Sequence, residues 1–387
     1  MPDSPLPITQ FINRPGIIDL AWGHPDPDLL PVRGLREAAG RVFDRYGPDA
    51  LNYGFAAGPG PLISSVCDRL DEVDARSPSL DSVAISAGNS HALDQVASLL
   101  TDPGDVVLVE APTYHLAVRI LRDHPLELLP VPTDDRGLRL DALAEIVAQL
   151  RQRQRIVRFL YTVPTFHNPT GTSLGTDRRE QLVRFAESAE LLIVEDDVYR
   201  ELSYDGPAPP SLWSLARAGT VLRLGSFAKS LAPGLRVGFI TADPRLISRI
   251  RDSGVLDSGG GISHFSSLVV AEFMDSGDYA RNVEHFRDAY RGRRDALLAA
   301  LTEHLADRAS WQRPAGGYFV WLTLPPGQDA AACIGAVERE GSSYMPGATF
   351  HLVSGEGRAS LRLAFSRYPP DLLVEAARRL ARALGGR

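Results

Sequence analysis

Lys229 is the residue of this chain best suited to nucleophilic chemistry. The sequence holds 41 Lys and Arg residues, and Lys229 is its single lysine. A guanidinium stays protonated, whereas an amine removed from water can lose its proton and attack a carbonyl to form a Schiff base. The count alone is equally compatible with an Arg-biased composition that left one lysine by chance, so the surrounding motifs must decide.

An anion site is predicted around Ser86-Ala-Gly-Asn-Ser90 and Arg236. The segment lies between a predicted strand and a predicted helix, where backbone amides and a helix N-terminus bind anions. Small residues at such a turn are more often turn chemistry alone. Ser226 and Arg236 lie close to Lys229 in the sequence and would add a hydroxyl and a guanidinium.

Acidic and amide side chains follow two further predicted strands. Glu195, Asp196 and Asp197 come at the end of one strand, where three carboxylates are costly unless they are paired, and this favours a functional role. Asn168, in Asn-Pro-Thr-Gly, follows another strand and is also compatible with a simple tight turn.

The elements that position these side chains alternate between strands and helices from residue 82 onward. Apolar runs predict strands over 83–86, 106–109, 126–131, 156–162, 191–195 and 221–224, and helices over 33–47, 90–100 and 140–150. Apolar strands separated by helices form parallel sheets that are covered on both faces. The predicted fold class is α/β, in which ligands bind beyond the carboxyl ends of the strands.

A length of 387 residues predicts two domains. Beyond about residue 263 the chain is mainly helical, with a long amphipathic run over 278–304 and strands without the parallel-sheet rhythm. We predict an N-terminal arm and the start of a small domain over 1–45, a large α/β domain over 46–285, and a small α+β domain over 286–387.

Composition excludes several classes of function. The net charge of −7 argues against a general nucleic-acid or membrane surface. Cys67 and Cys333 form neither a disulfide framework nor a metal cluster. No signal peptide and no apolar run of the roughly 20 residues that span a bilayer is evident. We therefore expect a soluble cytoplasmic protein without a metal.

Together the motifs supply an amine nucleophile, a carboxylate, an anion site with a guanidinium, and nearby aromatic rings. Pyridoxal 5′-phosphate needs this set, because its aldehyde takes a lysine, its ring nitrogen pairs with a carboxylate, and its phosphate binds amides, hydroxyls and arginine. The combination and order of the motifs, rather than any one of them, predict this cofactor.

On these motifs the chain resembles the pyridoxal-phosphate-dependent aminotransferases of class I/II, fold type I, over nearly its whole length. It is most similar to the branch that contains 2-aminoadipate aminotransferases and the enzyme-like half of MocR-type regulators. The resemblance implies a large domain with a mostly parallel sheet sandwiched by helices, a smaller α+β domain, and pyridoxal 5′-phosphate as cofactor.

The resemblance also implies roles around the cofactor. Lys229 would hold the cofactor covalently and carry the α-proton, and Asp196 would pair with the ring nitrogen. Asn168 and Tyr199 would contact the phenolic oxygen, and Tyr114, in Ala-Pro-Thr-Tyr114, would stack on the ring. The positions that match phosphate-binding residues are Asn89, Ser90, Ser226 and Arg236, with Tyr53 contributed across a homodimer interface.

On the substrate side, the resemblance implies that Arg362, in Leu-Arg362-Leu-Ala-Phe-Ser, clamps the α-carboxylate, with Asn168 and the backbone at Gly23 beside it. The chain departs from the branch at Trp22-Gly-His-Pro25, where Gly-Gly-Leu-Pro is common. This places Trp22 and His24 near the expected substrate entrance, although His24 is also readable as a polar loop residue.

The predicted function is transfer of the amino group of an L-amino acid to a 2-oxo acid by a ping-pong mechanism. The alternative keeps the cofactor but changes the chemistry to decarboxylation, oxidation, or substitution or bond formation at Cβ or Cγ. A ligand-sensing regulator of the MocR kind is disfavoured, because the resemblance begins by about residue 17 and the net charge is negative.

Overall fold

The computed structural model describes residues 14–217 and 219–385, so most of the predicted arm before Arg14 lies outside the described residues. The strands are β1 (Ile18–Asp19), β2 (Val83–Ser86), β3 (Val106–Ala111), β4 (Glu127–Asp134), β5 (Gly137–Leu138), β6 (Val157–Thr162), β7 (Leu192–Asp196), β8 (Val221–Ser226), β9 (Gly238–Thr241), β10 (Ser310–Trp311), β11 (Phe319–Thr323), β12 (Ser342–Ser343), β13 (Met345–Pro346) and β14 (Ser360–Ala364). The helices are α1 (Val32–Tyr46), α2 (Gly60–Asp74), α3 (Asn89–Leu100), α4 (His115–Arg122), α5 (Leu140–Gln152), α6 (Thr176–Ser188), α7 (Leu212–Leu215), α8 (Pro244–Arg251), α9 (Gly254–Gly259), α10 (His264–Asp275), α11 (Asp278–Leu305), α12 (Ala330–Arg339) and α13 (Pro370–Ala383).

An eight-stranded sheet with the order β2-β9-β8-β7-β6-β3-β4-β5 forms the centre of the protein. The pairs from β8 through to β4 are parallel, whereas β9 runs antiparallel to both β2 and β8. All six strands predicted from apolar runs are present, and the predicted α/β fold with a mostly parallel sheet is confirmed. The sequence analysis missed β9, because a four-residue strand that opens with glycine carries little apolar signal.

The strands of this sheet are buried on both faces. Val107, Val109 and Tyr161 pack into one apolar cluster, while Val106 and Leu108 pack into another. Successive side chains of a strand point to opposite faces, so continuous apolar runs are what a sheet covered by helices requires.

The carboxyl ends of the parallel strands meet at one edge of the sheet. Asp196 at the end of β7 stands in register with Leu224 of β8, and Thr162 at the end of β6 stands in register with Glu195. The loops after β2, β3, β6 and β8 leave from the same edge, and they carry the polar residues singled out in the sequence.

A second, antiparallel sheet with the order β10-β11-β14-β13 lies in the C-terminal part of the chain. It packs with α11 and α13 around a separate core that includes Leu301, Val320 and Leu373. The described part of the N-terminal segment also joins here, because Ile18 pairs in parallel with Ser342. The predicted boundary between residues 285 and 286 falls inside α11, and the division into domains stays a prediction.

In the described ranges, no helix is both long and apolar enough to cross a membrane.

Candidate active site

One cavity lies between the carboxyl edge of the large sheet and the second sheet. Every residue predicted from the sequence to take part in the site lines this cavity except Tyr53. The lining residues so predicted are Trp22, Gly23, His24, Asn89, Ser90, Tyr114, Asn168, Asp196, Tyr199, Ser226, Lys229, Arg236 and Arg362. The structure thus brings together residues from most of the chain, and the individual roles stay predictions.

Lys229 is held in the cavity by a short loop after β8. Its Nζ donates a hydrogen bond to Gly23 O at 3.0 Å and lies 5.3 Å from the ring centroid of Tyr318. Burial lowers the pKa of Lys229 to about 8, and the charges of Arg362 and Arg236 act in the same direction against Asp196. Loss of water and two nearby cations therefore ease deprotonation of this amine.

Asp196, the last residue of β7, faces the cavity and accepts two hydrogen bonds. Asn89 Nδ2 donates to its Oδ1 at 2.7 Å, and the Tyr161 hydroxyl donates to its Oδ2 at 2.6 Å. Burial raises the pKa of Asp196 to about 6, while both hydrogen bonds hold it down. The carboxylate form therefore prevails at neutral pH.

The two acids that flank Asp196 serve the structure. Glu195 accepts hydrogen bonds from the backbone amides of Leu212 and Trp213, each at 2.9 Å. Asp197 pairs with Arg200 and with Arg223. Neither acid lines the cavity, so of the three only Asp196 keeps its predicted functional role, which stays a prediction.

The predicted anion site lies at the start of α3. Gly88 precedes this helix with φ +83°, and a Cβ built there would stand 3.1 Å from a guanidinium nitrogen of Arg236. Arg236 Nη2 donates to Ala87 O at 3.0 Å, and Ser226 Oγ accepts from the amide of Ala228 at 3.1 Å. A helix N-terminus, a hydroxyl and a guanidinium are thus assembled as a phosphate requires.

Arg362, in the middle of β14, is buried and lines the same cavity. Its Nη1 donates to Asn168 Oδ1 at 2.7 Å and its Nη2 donates to Ala21 O at 2.5 Å. Its Nε is buried without a hydrogen-bond partner among the described residues. Burial lowers the pKa of Arg362 to about 10. A buried guanidinium with spare donor capacity suits a substrate carboxylate.

The two tyrosines predicted to contact the cofactor also fit. Tyr114 stands directly before α4, and burial raises its pKa to about 12. Tyr199 is buried and packs edge-on against Phe319 with ring centroids 6.0 Å apart. Burial raises the pKa of Tyr199 well above its ordinary value, against a hydrogen bond with Asn168. Both phenols therefore stay protonated donors.

Trp22, His24 and His115 line the cavity and form a cluster of ring contacts. Trp22 meets His24 edge-on at 6.3 Å and tilts against His115 at 6.5 Å between ring centroids. His115 in turn packs edge-on against Phe350 at 5.1 Å. Burial lowers the pKa of His115 to about 4, with Arg362 and Arg119 adding to the effect, so this imidazole is neutral at pH 7.

Tyr53 lies apart from the cavity. Its side chain is 82% exposed, and the neighbouring Leu51 and Phe55 are also exposed, at 70% and 71%. The role predicted for Tyr53 across a dimer interface stays a prediction.

The sequence analysis missed Tyr161, His115, Tyr318 and Phe319, which all touch or line the site. Tyr161 read as one more apolar residue of a strand. His115 directly follows Tyr114, and this adjacency was the one signal that could have revealed it. Tyr318 and Phe319 reach the cavity only through packing of the second sheet against the first.

Comparisons with known proteins agree with this geometry. The family model described as aminotransferase class I and II matches residues 17–380. The chain is 36% identical over 385 residues to the 2-aminoadipate transaminase of Thermus thermophilus, covering 98% of this chain and 93% of that protein. It is 32% identical over 380 residues to the aromatic-amino-acid aminotransferase 1 of Thermococcus litoralis, covering 97% and 90%.

Among solved structures, the chain resembles the kynurenine aminotransferase of Pyrococcus horikoshii, a complex with PMP, with KYN as substrate and KYA as product. The TM-score is 0.89 at 33% identity, and the match covers 96% of this chain and 91% of that chain.

Proposed function

The chain belongs to the class I and II aminotransferase family, and on that premise we propose that its amino donor is an aromatic L-amino acid. The predicted family, fold type I, the cofactor pyridoxal 5′-phosphate and amino transfer to a 2-oxo acid are confirmed by this membership. The side chain of the donor, the role of each residue and the homodimer are what we propose.

The site fits the cofactor in three respects. Lys229 offers a desolvated amine, and the start of α3 with Arg236 offers a phosphate site, where a Cβ at position 88 would crowd the Arg236 guanidinium. Asp196 offers a carboxylate that two donors hold at the cavity wall. Bound pyridoxal 5′-phosphate supplies the electron sink that makes the Cα proton of an amino acid removable.

We assign Lys229 to moving this proton. Its amine must be neutral to accept the proton from Cα, and it must be protonated to return a proton in the step that follows. A pKa of about 8 permits both states near neutral pH. Arg362 binds the substrate carboxylate and orients Cα, with Asn168 fixed against its Nη1 at 2.7 Å.

The observation that carries the aromatic assignment is the lining of the cavity. Of the described lining residues, the Lys and Arg side chains are Lys229, Arg236 and Arg362, and each already has a proposed role. A second carboxylate, as in aspartate or 2-aminoadipate, therefore finds no free guanidinium in the described lining. Trp22 and His115, which both line the cavity, instead offer flat, uncharged surfaces for a ring.

The relatives support this choice in part. One is named for aromatic amino acids and one solved neighbour for kynurenine, while another relative is named for 2-aminoadipate. Among the described residues of the cavity, none specifically favours decarboxylation, oxidation or substitution, so we propose no second function.

Steady-state assays test the proposal. With one 2-oxo acid acceptor, kcat/KM for phenylalanine, tyrosine, tryptophan and kynurenine should each exceed kcat/KM for aspartate and 2-aminoadipate by at least about tenfold. A donor without an aromatic ring loses the apolar contact between that ring and the cavity, and this loss is worth such a factor or more. The half-reaction without acceptor, followed by the absorption change of the cofactor, gives the same ranking independently of the acceptor. A dicarboxylic donor at the head of the ranking would refute the aromatic assignment.

We also propose a homodimer in which Tyr53 of each protomer reaches the phosphate site of the other. The exposure of Leu51, Tyr53 and Phe55 on one segment supports this, because adjacent large apolar side chains are typical of an interface. Sedimentation equilibrium should give twice the chain mass. Tyr53→Phe should weaken cofactor binding without dissociating the dimer.

A cytoplasmic location stays a prediction of the sequence analysis.

A further inference from the structure

Asp196 is held by donors from two separate elements, one for each carboxylate oxygen. Tyr161 comes from β6 and is fully buried, and its hydroxyl donates to Oδ2 at 2.6 Å. Asn89 is the first residue of α3, and its Nδ2 donates to Oδ1 at 2.7 Å. Asn89 is predicted at the phosphate site; in the structure its side chain bonds Asp196, and its backbone amide lies at the start of α3.

A buried carboxylate needs such donors to remain charged. Burial alone favours the protonated form, and hydrogen bonds from donors favour the anion. Burial is the largest influence on Asp196 and raises its pKa, whereas Tyr161 and Asn89 lower it. The Tyr161 phenol, whose own pKa is raised well above its ordinary value, stays protonated and can only donate to the anion.

The other charged and titratable groups around Asp196 do not replace these donors. Lys229 lowers the pKa of Asp196 through its charge, and Asp197 raises it. Tyr114 approaches from the loop before α4 but has a pKa of about 12 and is uncharged at neutral pH. Apart from Lys229, the groups that favour the carboxylate are the hydroxyl and the amide.

We propose that Tyr161 and Asn89 are positioning residues that keep Asp196 ionised and fix the plane of its carboxylate toward the ring nitrogen of the cofactor. This inference rests on the proposed role of Asp196. It assigns to β6 and to the start of α3 a task that is separate from substrate binding, and it requires no covalent step.

The test uses Tyr161→Phe and Asn89→Ala, each of which removes one donor. The matched control is Tyr344→Phe, because the Tyr344 hydroxyl is also buried and donates to Ala330 O at 2.6 Å, but does not line the cavity. The readouts are the dissociation constant of pyridoxal 5′-phosphate from the apoprotein and the pH dependence of the absorption of the bound cofactor.

Each donor variant should bind the cofactor at least about tenfold more weakly, because a hydrogen bond to a charged group is lost. The pH below which the Asp196 carboxylate is protonated should move upward in both variants, because one of the two hydrogen bonds that lower the pKa of Asp196 against burial is then missing. Tyr344→Phe should leave both readouts unchanged.

A double-mutant comparison with Asp196→Asn distinguishes the proposed role of Tyr161 and Asn89 from the proposed role of Asp196. If Asp196→Asn weakens the cofactor and Tyr161→Phe adds nothing in that background, the hydroxyl acts through Asp196 as proposed. If Tyr161→Phe and Asn89→Ala both bind the cofactor like the unmodified protein while Asp196→Asn does not, this inference alone is wrong. If Asp196→Asn also binds normally, the proposed role of Asp196 fails and the inference fails with it. Should Tyr161→Phe not fold, Asn89→Ala decides by the same criteria.

Discussion

Arg362 Nη1 donates a hydrogen bond to Asn168 Oδ1 at 2.7 Å, which ties the residue predicted to clamp the substrate to one predicted to contact the cofactor ring. The two lie 194 positions apart in the sequence, Arg362 in β14 of the second sheet and Asn168 in the loop after β6 of the large sheet. This bond crosses the cavity wall and sets the orientation of the guanidinium relative to the loop after β6. With the proposed roles of these two residues, we expect a shift of one side chain to move the other.

Replacing Arg362 with lysine should impair substrate binding more than cofactor binding. Lysine keeps a positive charge but cannot bond Asn168, Ala21 O and a carboxylate in one planar arrangement. We expect kcat/KM for the amino donor to fall by about 10- to 100-fold, with the dissociation constant of the cofactor little changed. Arg382→Lys is the control, because Arg382 is half exposed and pairs with Glu340 away from the site. Equal losses in the two variants would contradict the assignment.

The pH dependence of cofactor capture should report Lys229. Only the neutral amine attacks the cofactor aldehyde, so the capture rate of the apoprotein should rise about tenfold per pH unit up to the pKa of about 8 and then level off. Arg362→Met removes a cation that lowers this pKa, and the midpoint should move upward. Stopped-flow absorption gives both curves. A midpoint near the ordinary lysine value of 10.5 in the unmodified protein would show that Lys229 is not desolvated.

The site was predictable from the sequence where a residue directly follows an apolar strand. Asp196 and Lys229 are marked in this way, since the carboxyl ends of parallel strands must converge. Tyr161 was not predictable, because a tyrosine inside a strand is indistinguishable from core until the neighbouring strand brings Asp196 against its hydroxyl. For His115 the sequence offers its position directly after Tyr114, whereas its ring contacts with Trp22 and Phe350 are visible only in the structure.

The fold, like the site, has elements that were predictable from the sequence and elements that were not. Long apolar runs such as 106–109 were recognised because burial on both faces of a sheet leaves a continuous pattern. β9 and the pairing of Ile18 with Ser342 were not, because a short strand or a two-residue bridge is defined by its partner, which the local sequence does not contain. Within the acidic run over 195–197, only the structure separates the cavity residue Asp196 from Asp197, which pairs with buried arginines, and Glu195, which accepts hydrogen bonds from backbone amides.

Arg223 should be important for stability and not for chemistry. It bridges Asp74 of α2 and Asp197 beside β7, and all three side chains are buried. Arg223→Met would leave the two carboxylates with fewer partners and should lower the free energy of unfolding by about 3–5 kcal/mol. Urea unfolding of the apoprotein measures this. In Arg382→Met, which breaks an exposed pair, the loss should stay below about 1 kcal/mol. Similar losses in both variants would indicate that the buried ion pairs of Arg223 stabilise the protein no more than an exposed pair does.

Gly23 should tolerate no side chain, because a Cβ at this position would lie too close to the ring of Phe319. A Cβ at this position would stand 2.5 Å from Phe319 Cζ, and the ring cannot withdraw easily because it is buried. Phe319 supports the guanidinium of Arg362 at 4.1 Å from its centroid, so a displaced ring displaces the carboxylate clamp.

Gly23→Ala should therefore lower kcat/KM by about 10- to 100-fold, as expected for a misplacement of about 1 Å in a positioning group. The dissociation constant of the cofactor should change less than kcat/KM, because the phosphate site lies on other loops and Lys229 contacts Gly23 through the backbone O, which the substitution keeps. Gly40→Ala is the matched control: this glycine lies within α1 with no atom within 4 Å of its would-be Cβ. It should raise the free energy of unfolding by about 0.5–1 kcal/mol without affecting turnover. Full activity in Gly23→Ala would mean that Phe319 does not set the position of Arg362.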